Sequence, residues 1–282
     1  MLQTADETRT PENLSRLALR IAERGQITPR DVLAMRQGLY ADGVIRRVEA
    51  ETLFALEHAI VKRHPAWDEL YVEALTDYFR EGRDDFSLTD EDVAFLKKGI
   101  LANGAIADPT ELRLLLNILF QARSCPEELH DFTRAAVAHS VRTSNTAMYG
   151  EGARTAGAVD RHDVEAIRRL VYGHAGKDGM RISECEACWL IEIDHATDGA
   201  ANDTAWRDLF IKAVAMHLLL AGPSPDCIDV AKVEWLERNL LAGGTLTANG
   251  EALLSYLRAE AANIHDTFNH LHSVRVPVQP PA

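Results

Sequence analysis

A stretch near the start of this chain returns in its second half, and that duplication limits the folds open to it. DVLAMRQGLY (31–40) matches DVEAIRRLVY (163–172) at Asp, Val, Ala, Arg and Tyr. AWDELYVEA (66–74) returns as AWRDLFIKA (205–213), which pairs Trp67 with Trp206 and Leu70 with Leu209. Between these, EHA (57–59) matches DHA (194–196). A second copy lies inside the first half: LTDEDVAFLKKGILANGAI (88–106) aligns without a gap on ITPRDVLAMRQGLYADGVI (27–45). A weaker fourth, VEWLERNLLAGGTL (233–246), keeps Val233, Leu236, Leu240, Gly244 and Leu246 on the same frame. Repeats of this length signal a supersecondary unit that buries its apolar face against a neighbouring copy. The expected order is A-B-A′-B′, two halves of two repeats each.

Each repeat has the same local grammar. A cap opens a helix: Thr28 with Pro29, Thr89 with Asp92, Asp160 with Asp163. Val32, Met35 and Leu39 have the spacing of an amphipathic face. A turn follows (ADG, ANG, KDG or AGG), then an apolar residue at Ile45, Ile106, Ile182 or Leu246. Glycine there suits the left-handed backbone that ends one helix before the next begins. A second helix carries Leu53, Leu56 and Ile60, and a third closes the odd repeats at 66–81 and 204–220. The apolar residue after the turn is expected to pack on its counterpart in the neighbouring repeat. Aromatics are only 6% of a chain rich in Ala and Leu, which also favours helices.

The expected fold is therefore all-α: four helix-turn-helix repeats arranged as two similar halves. The expected boundaries are an N-terminal capping helix within 1–26, a first half at 27–142, a linker at 143–158, a second half at 159–273 and a Pro-rich tail at 274–282. The linker TSNTAMYGEGARTAGA is small, polar and without a helical stripe. The polar N-terminus and the lack of a long apolar run imply neither a signal peptide nor a transmembrane segment, hence a cytoplasmic protein. A net charge of -13 argues against nucleic acid as a partner. Four scattered cysteines do not make a disulfide framework.

The turn YADGVIRRVEAE (40–51) reads as the second half of a calcium loop. With Asp42 at loop position 5, Gly43, Ile45 and Glu49 take positions 6, 8 and 12, but Gly38 and Tyr40 occupy positions 1 and 3, where oxygen ligands belong. Asp31 and Glu51 could add charge if folding brings them close. Asp42 can equally end a helix, and Glu49 can equally stabilise the start of one.

The recurring turn, the helical repeats and the Trp-anchored following helix resemble the tellurite-resistance TerB-like family, whose signature is A-D-G-x-[IV]-x₃-E. The full pattern stands once, as Ala41-Asp42-Gly43-Val44-Ile45 with Glu49. The third repeat gives Asp178-Gly179 with Ile182 displaced by one, then Glu186; the second has Asn103-Gly104 and Thr110 where the Glu belongs. The resemblance spans roughly 27–273. It implies an EF-hand-like α-helical fold, weak binding of a divalent cation (calcium or magnesium) through Asp42, Glu49, Asp178 and Glu186, and a role in stress response.

The third repeat is rich in other ligand types: His162, His174, Asp178, Glu184, Cys185, Cys188, Asp194, His195 and Asp198. Cys185 and Cys188 share a helix face, but no second C-x-x-C or H-x₃-H completes a zinc site. Glu57-His58 and Asp194-His195 recur, yet neighbours in a helix point to different faces. The four tryptophans, Trp67, Trp189, Trp206 and Trp235, are read as core or interface. No P-loop, G-x-S-x-G, G-x-G-x-x-G or H-E-x-x-H is present. The leading expectation is a non-enzymatic interaction or scaffold module with a protein partner. A metal-dependent sensor is the alternative, and an enzyme built on the third repeat's Cys/His/Asp cluster comes last.

Overall fold

Capping side chains set the helix boundaries in the computed structural model, which describes residues 11–83, 85–103, 108–143, 155–172, 181–220, 224–242 and 244–273. Thr28 opens α2 (Pro29–Leu39), with Pro29 in the first turn and Asp31 closing a reciprocal capping box. Thr89 and Asp92 do the same for α5 (Asp90–Ile100). Asp160 and Asp163 exchange backbone hydrogen bonds of 3.0 and 2.9 Å at the start of α8 (Arg161–Tyr172). Each cap satisfies N–H groups that the helix leaves unpaired and is worth about 1 kcal/mol.

The fold is all-α. It divides into two compact units, Met1–Ala136 and Val137–Ala282. The first holds α1 (Pro11–Arg24), α2, α3 (Arg47–Ala59), α4 (Pro65–Arg80), α5, α6 (Pro109–Gln121) and the start of α7 (Glu127–Thr143). The second holds the end of α7, α8, α9 (Glu184–Ala196), α10 (Thr204–Leu220), α11 (Val230–Leu240), α12 (Ala248–Glu260) and a 3-10 helix at Asp266–Ser273. The division falls inside α7; most of the expected linker, 144–154, lies outside the described residues. The third helix expected only in the odd repeats has a counterpart in α7 after the second. No helix among the described residues is long and apolar enough to cross a membrane.

A single connection recurs four times. The chain just before a repeat's first helix is hydrogen-bonded to the joint between its second and third helices, in a parallel bridge in the first, second and fourth repeats. Ile27 N–H donates to Lys62 O at 3.1 Å, and Leu88 N–H to Ser124 O at 3.0 Å. Asp203 N–H donates to Val159 O at 2.8 Å, and His265 N–H to Ile228 O at 2.9 Å. In the last case the pairing extends to two short parallel strands, β1 (Cys227–Ile228) and β2 (Asn263–Ile264). In the first and third repeats the third helix, α4 or α10, packs on both of the other two.

In the first unit α4 packs on α6, and in the second α10 packs on α12. Trp67, Tyr71 and Phe79 of α4 are fully buried, as are Trp206 and Phe210 of α10. Each such side chain contributes about 2–3 kcal/mol by leaving water. Phe54 stacks edge-on against Tyr71 and Phe95. Gly99 of α5 lies directly over the Phe54 ring, where a Cβ would fall 2.6 Å from ring carbons. Gly43 has φ of +79° with open space around it, so glycine is required there by backbone conformation alone.

Candidate functional site

The glutamate of the turn signature has a local task. Glu49 is the third residue of α3, and its Oε2 accepts the Arg46 N–H at 2.8 Å. Glu186 holds the same place in α9 and accepts from both the N–H and the hydroxyl of Ser183 at 2.8 Å. In the second repeat the role falls to Glu111, one residue past Thr110, whose Oε2 accepts the Asp108 N–H at 2.9 Å. Asp42 accepts the Val44 N–H at 3.3 Å and pairs with Arg46. Asp31 is tied to Thr28 and Arg24, and Glu51 to Arg47. The helix starts thus account for the signature residues Asp42, Glu49 and Glu186; Asp178 lies outside the described residues. Among the described residues no group of three or more His, Cys, Asp or Glu side chains could hold a metal ion.

The ligand types of the third repeat are likewise spread out. Cys185 is exposed, while the Cys188 thiol donates to Asn239 Oδ1 at 3.5 Å and burial pushes its pKa up. His195 Nε2 lies 3.0 Å from Leu240 O. His162 and Asp198 are exposed, Glu184 accepts from the Trp235 indole at 2.9 Å, and His174 lies outside the described residues.

What the structure does bring together is a polar cluster where α3, α4 and the N-terminus of α6 meet. Glu57 is 1% exposed. Its Oε2 accepts from the Trp67 indole N–H at 2.5 Å, and its Oε1 from Arg63 at 2.5 Å. Arg63 also donates to Thr110 Oγ1 at 3.2 Å and to Asp108 Oδ2 at 2.7 Å. His58 Nε2 lies 2.9 Å from Glu111 Oε1. Burial pushes the Glu57 carboxyl up to about 8 even with Arg63 beside it. Burial also raises Asp68 and Glu111. The cluster joins the first two repeats through one arginine that spans two carboxylates.

The second unit places a carboxyl group with uncharged donors at the matching point. Asp194 is 2% exposed and accepts from the Trp206 indole at 3.1 Å, Thr247 Oγ1 at 2.6 Å and Asn249 Nδ2 at 2.7 Å. Thr247 caps α12 as Asp108 caps α6. Burial raises Asp194 against these three donors. The sequence signal for this pairing was the recurrence of EHA with DHA and of Trp67 with Trp206; their partners on α6 and α12 had no such signal.

A different feature faces solvent. Between α1 and α3 runs a groove of about 300 Å³ lined by Ser15, Ala18, Leu19, Ala22, Thr52 and Ala55. Leu19 is 63% exposed at its edge, and Val48, one turn before Thr52 on α3, is also 63% exposed. Arg16 and Arg20 stand exposed, one turn apart, on the outer side of α1. Comparison of the chain with protein-family models, with curated proteins and with solved structures finds no match.

Proposed function

We propose that the protein is a non-enzymatic helical interaction module that takes an amphipathic helix of a partner protein in the α1–α3 groove. The observation that carries this reading is the groove itself: small side chains on both walls, with Leu19 and Val48 left in water beside them. Exposed apolar side chains placed together mark an interaction face, and a groove between two helices suits a third helix with i, i+4, i+7 anchors. The groove's side chains can pack and donate a hydroxyl, but none titrates near neutral pH.

Charge selects the occupant. On a chain of net charge -13, Arg16 and Arg20, with Glu23 further along the same edge of α1, leave a local positive balance there. A partner helix with an acidic edge beside its apolar face complements that balance, and a basic edge does not. The test is a titration of the full chain, labelled at methyl groups, with a synthetic helix carrying Leu at i, i+4 and i+7 and Glu along one edge. Shifts concentrated at Leu19, Ala22 and Ala55 are expected; shifts scattered over both units, or none, would sink the proposal.

A further inference from the structure

We propose that the polar cluster at the α3–α4–α6 junction encloses a small hydrogen-bond donor, of the size of water, held by Tyr71 Oη and Asp68 Oδ1. Tyr71 is fully buried, and its hydroxyl makes no hydrogen bond to another protein group. The buried Oδ1 of Asp68 likewise makes no hydrogen bond of good geometry, although the Thr110 hydroxyl lies close enough to this carboxyl to favour its ionised form. Nearly all buried polar atoms in folded proteins are paired, so two orphans on one helix call for a partner. Asp68 and Tyr71 are three residues apart on α4 and therefore on one side of it. Both feel the charges of Arg63 and Asp108, and Tyr71 also those of Glu57 and Glu111.

The duplicated half supplies the control. On the shared frame Phe210 stands where Tyr71 does, and Arg207 where Asp68 does. Phe210 is as fully buried as Tyr71. Packing alone is thus met by phenylalanine, and the first half adds a hydroxyl and a carboxylate at this point. The chemistry of the ligand follows from its holders. Asp68 Oδ1 accepts, so the ligand donates; Tyr71 Oη can accept or donate. Acceptor oxygens of Glu57, Asp68, Asp108 and Glu111 face this point, with Arg63 and Arg113 as the cations acting on Asp68, so a neutral or cationic donor fits better than an anion. Water and ammonium share the required chemistry.

The first test is thermal melting of the full-length Tyr71→Phe variant in sodium chloride. A hydroxyl bonded to an enclosed ligand is missed when removed, so the variant is expected to melt about 2–4 °C below the parent. A hydroxyl without a partner costs stability, and its removal would leave the melting point unchanged or raise it; that result overturns the proposal. A higher melting point in ammonium chloride than in sodium chloride at equal ionic strength, absent in Tyr71→Phe, assigns ammonium. Equal melting in both salts, with a nuclear Overhauser cross-peak between water and the Tyr71 hydroxyl proton, assigns water. Neither the ammonium effect nor the cross-peak would also overturn it. A Tyr71→Phe/Asp68→Asn double variant is expected to lose less than the sum of the two singles, because both atoms hold one ligand.

Discussion

Replacing Glu57 by Ala and by Gln separates its shape from its charge. Alanine leaves the fully buried Trp67 indole N–H without an acceptor and frees one arm of Arg63. An orphaned buried donor costs about 1–3 kcal/mol, and the emptied volume adds about 1–2 kcal/mol. Arg63 keeps Asp108 and is 30% exposed at its side chain, so it adds little. The expected loss is about 2–5 kcal/mol for Glu57→Ala. Glutamine keeps an amide oxygen for the indole and is expected to lose about 1 kcal/mol near pH 5. The sign of the pH dependence follows from burial. The Glu57 carboxyl binds its proton more tightly folded than unfolded, because its value is raised from 4.5 to about 8. Its contribution is therefore complete below 4.5 and is lost as pH rises through about 8, at a rate on the order of 1 kcal/mol per pH unit between those limits. Glutamine does not titrate, so Glu57→Gln should gain on the parent as pH rises from 5 to 8. Urea unfolding followed by tryptophan fluorescence at several pH values reads both effects. A flat difference between Glu57→Gln and the parent across that range would refute the argument, as would equal stability of the Ala and Gln variants.

Further outcomes follow from the same geometry. Asp194→Ala is expected to cost about 2–4 kcal/mol in chemical denaturation, because three donors lose their acceptor, while Asp194→Asn costs less. Gly99→Ala drives a methyl into the Phe54 ring and is expected to cost about 1–3 kcal/mol, whereas Gly43→Ala meets no atom and costs about 1 kcal/mol from its left-handed backbone; equal melting shifts for the two would contradict this. Burial opposes ionisation of Asp31, but Thr28 and Arg24 together hold its carboxyl below 3.8. Its stabilisation is present above that value and lost as pH falls, so acid unfolding of Asp31→Asn should depend on pH less steeply than that of the parent.

Helix starts were legible in the sequence because a cap is a local event. Thr28, Thr89 and Asp160 each bond within three residues of themselves. The left-handed turn at Gly43 was legible for the same reason. The reading of Thr110 as a missing glutamate looked one residue short, since the capping carboxylate belongs to Glu111. Glu57 and His58, adjacent in sequence, were expected to point to different helix faces, and they do. Successive helical side chains diverge by about 100°, so Glu57 turns to Trp67 while His58 reaches Glu111. Arg63 to Asp108 and Asp194 to Thr247 bridge long stretches of chain, and nothing in local spacing announces them. The α1–α3 groove was invisible for a related reason: Leu19 and Val48 look like core residues until the fold shows which faces are covered.

The most direct measurement is fluorescence anisotropy of two labelled amphipathic helices titrated with the full chain. The helices share one apolar face and differ only in Glu or Lys along the flanking edge. The account predicts saturable binding of the acidic helix and weaker binding of the basic one. It also predicts loss of that preference in Arg16→Glu/Arg20→Glu and loss of binding in Leu19→Glu, whose side chain is exposed enough to leave the fold intact. Equal affinity for both helices, or full binding by Leu19→Glu, would contradict the assignment of the α1–α3 groove as the site of partner recognition.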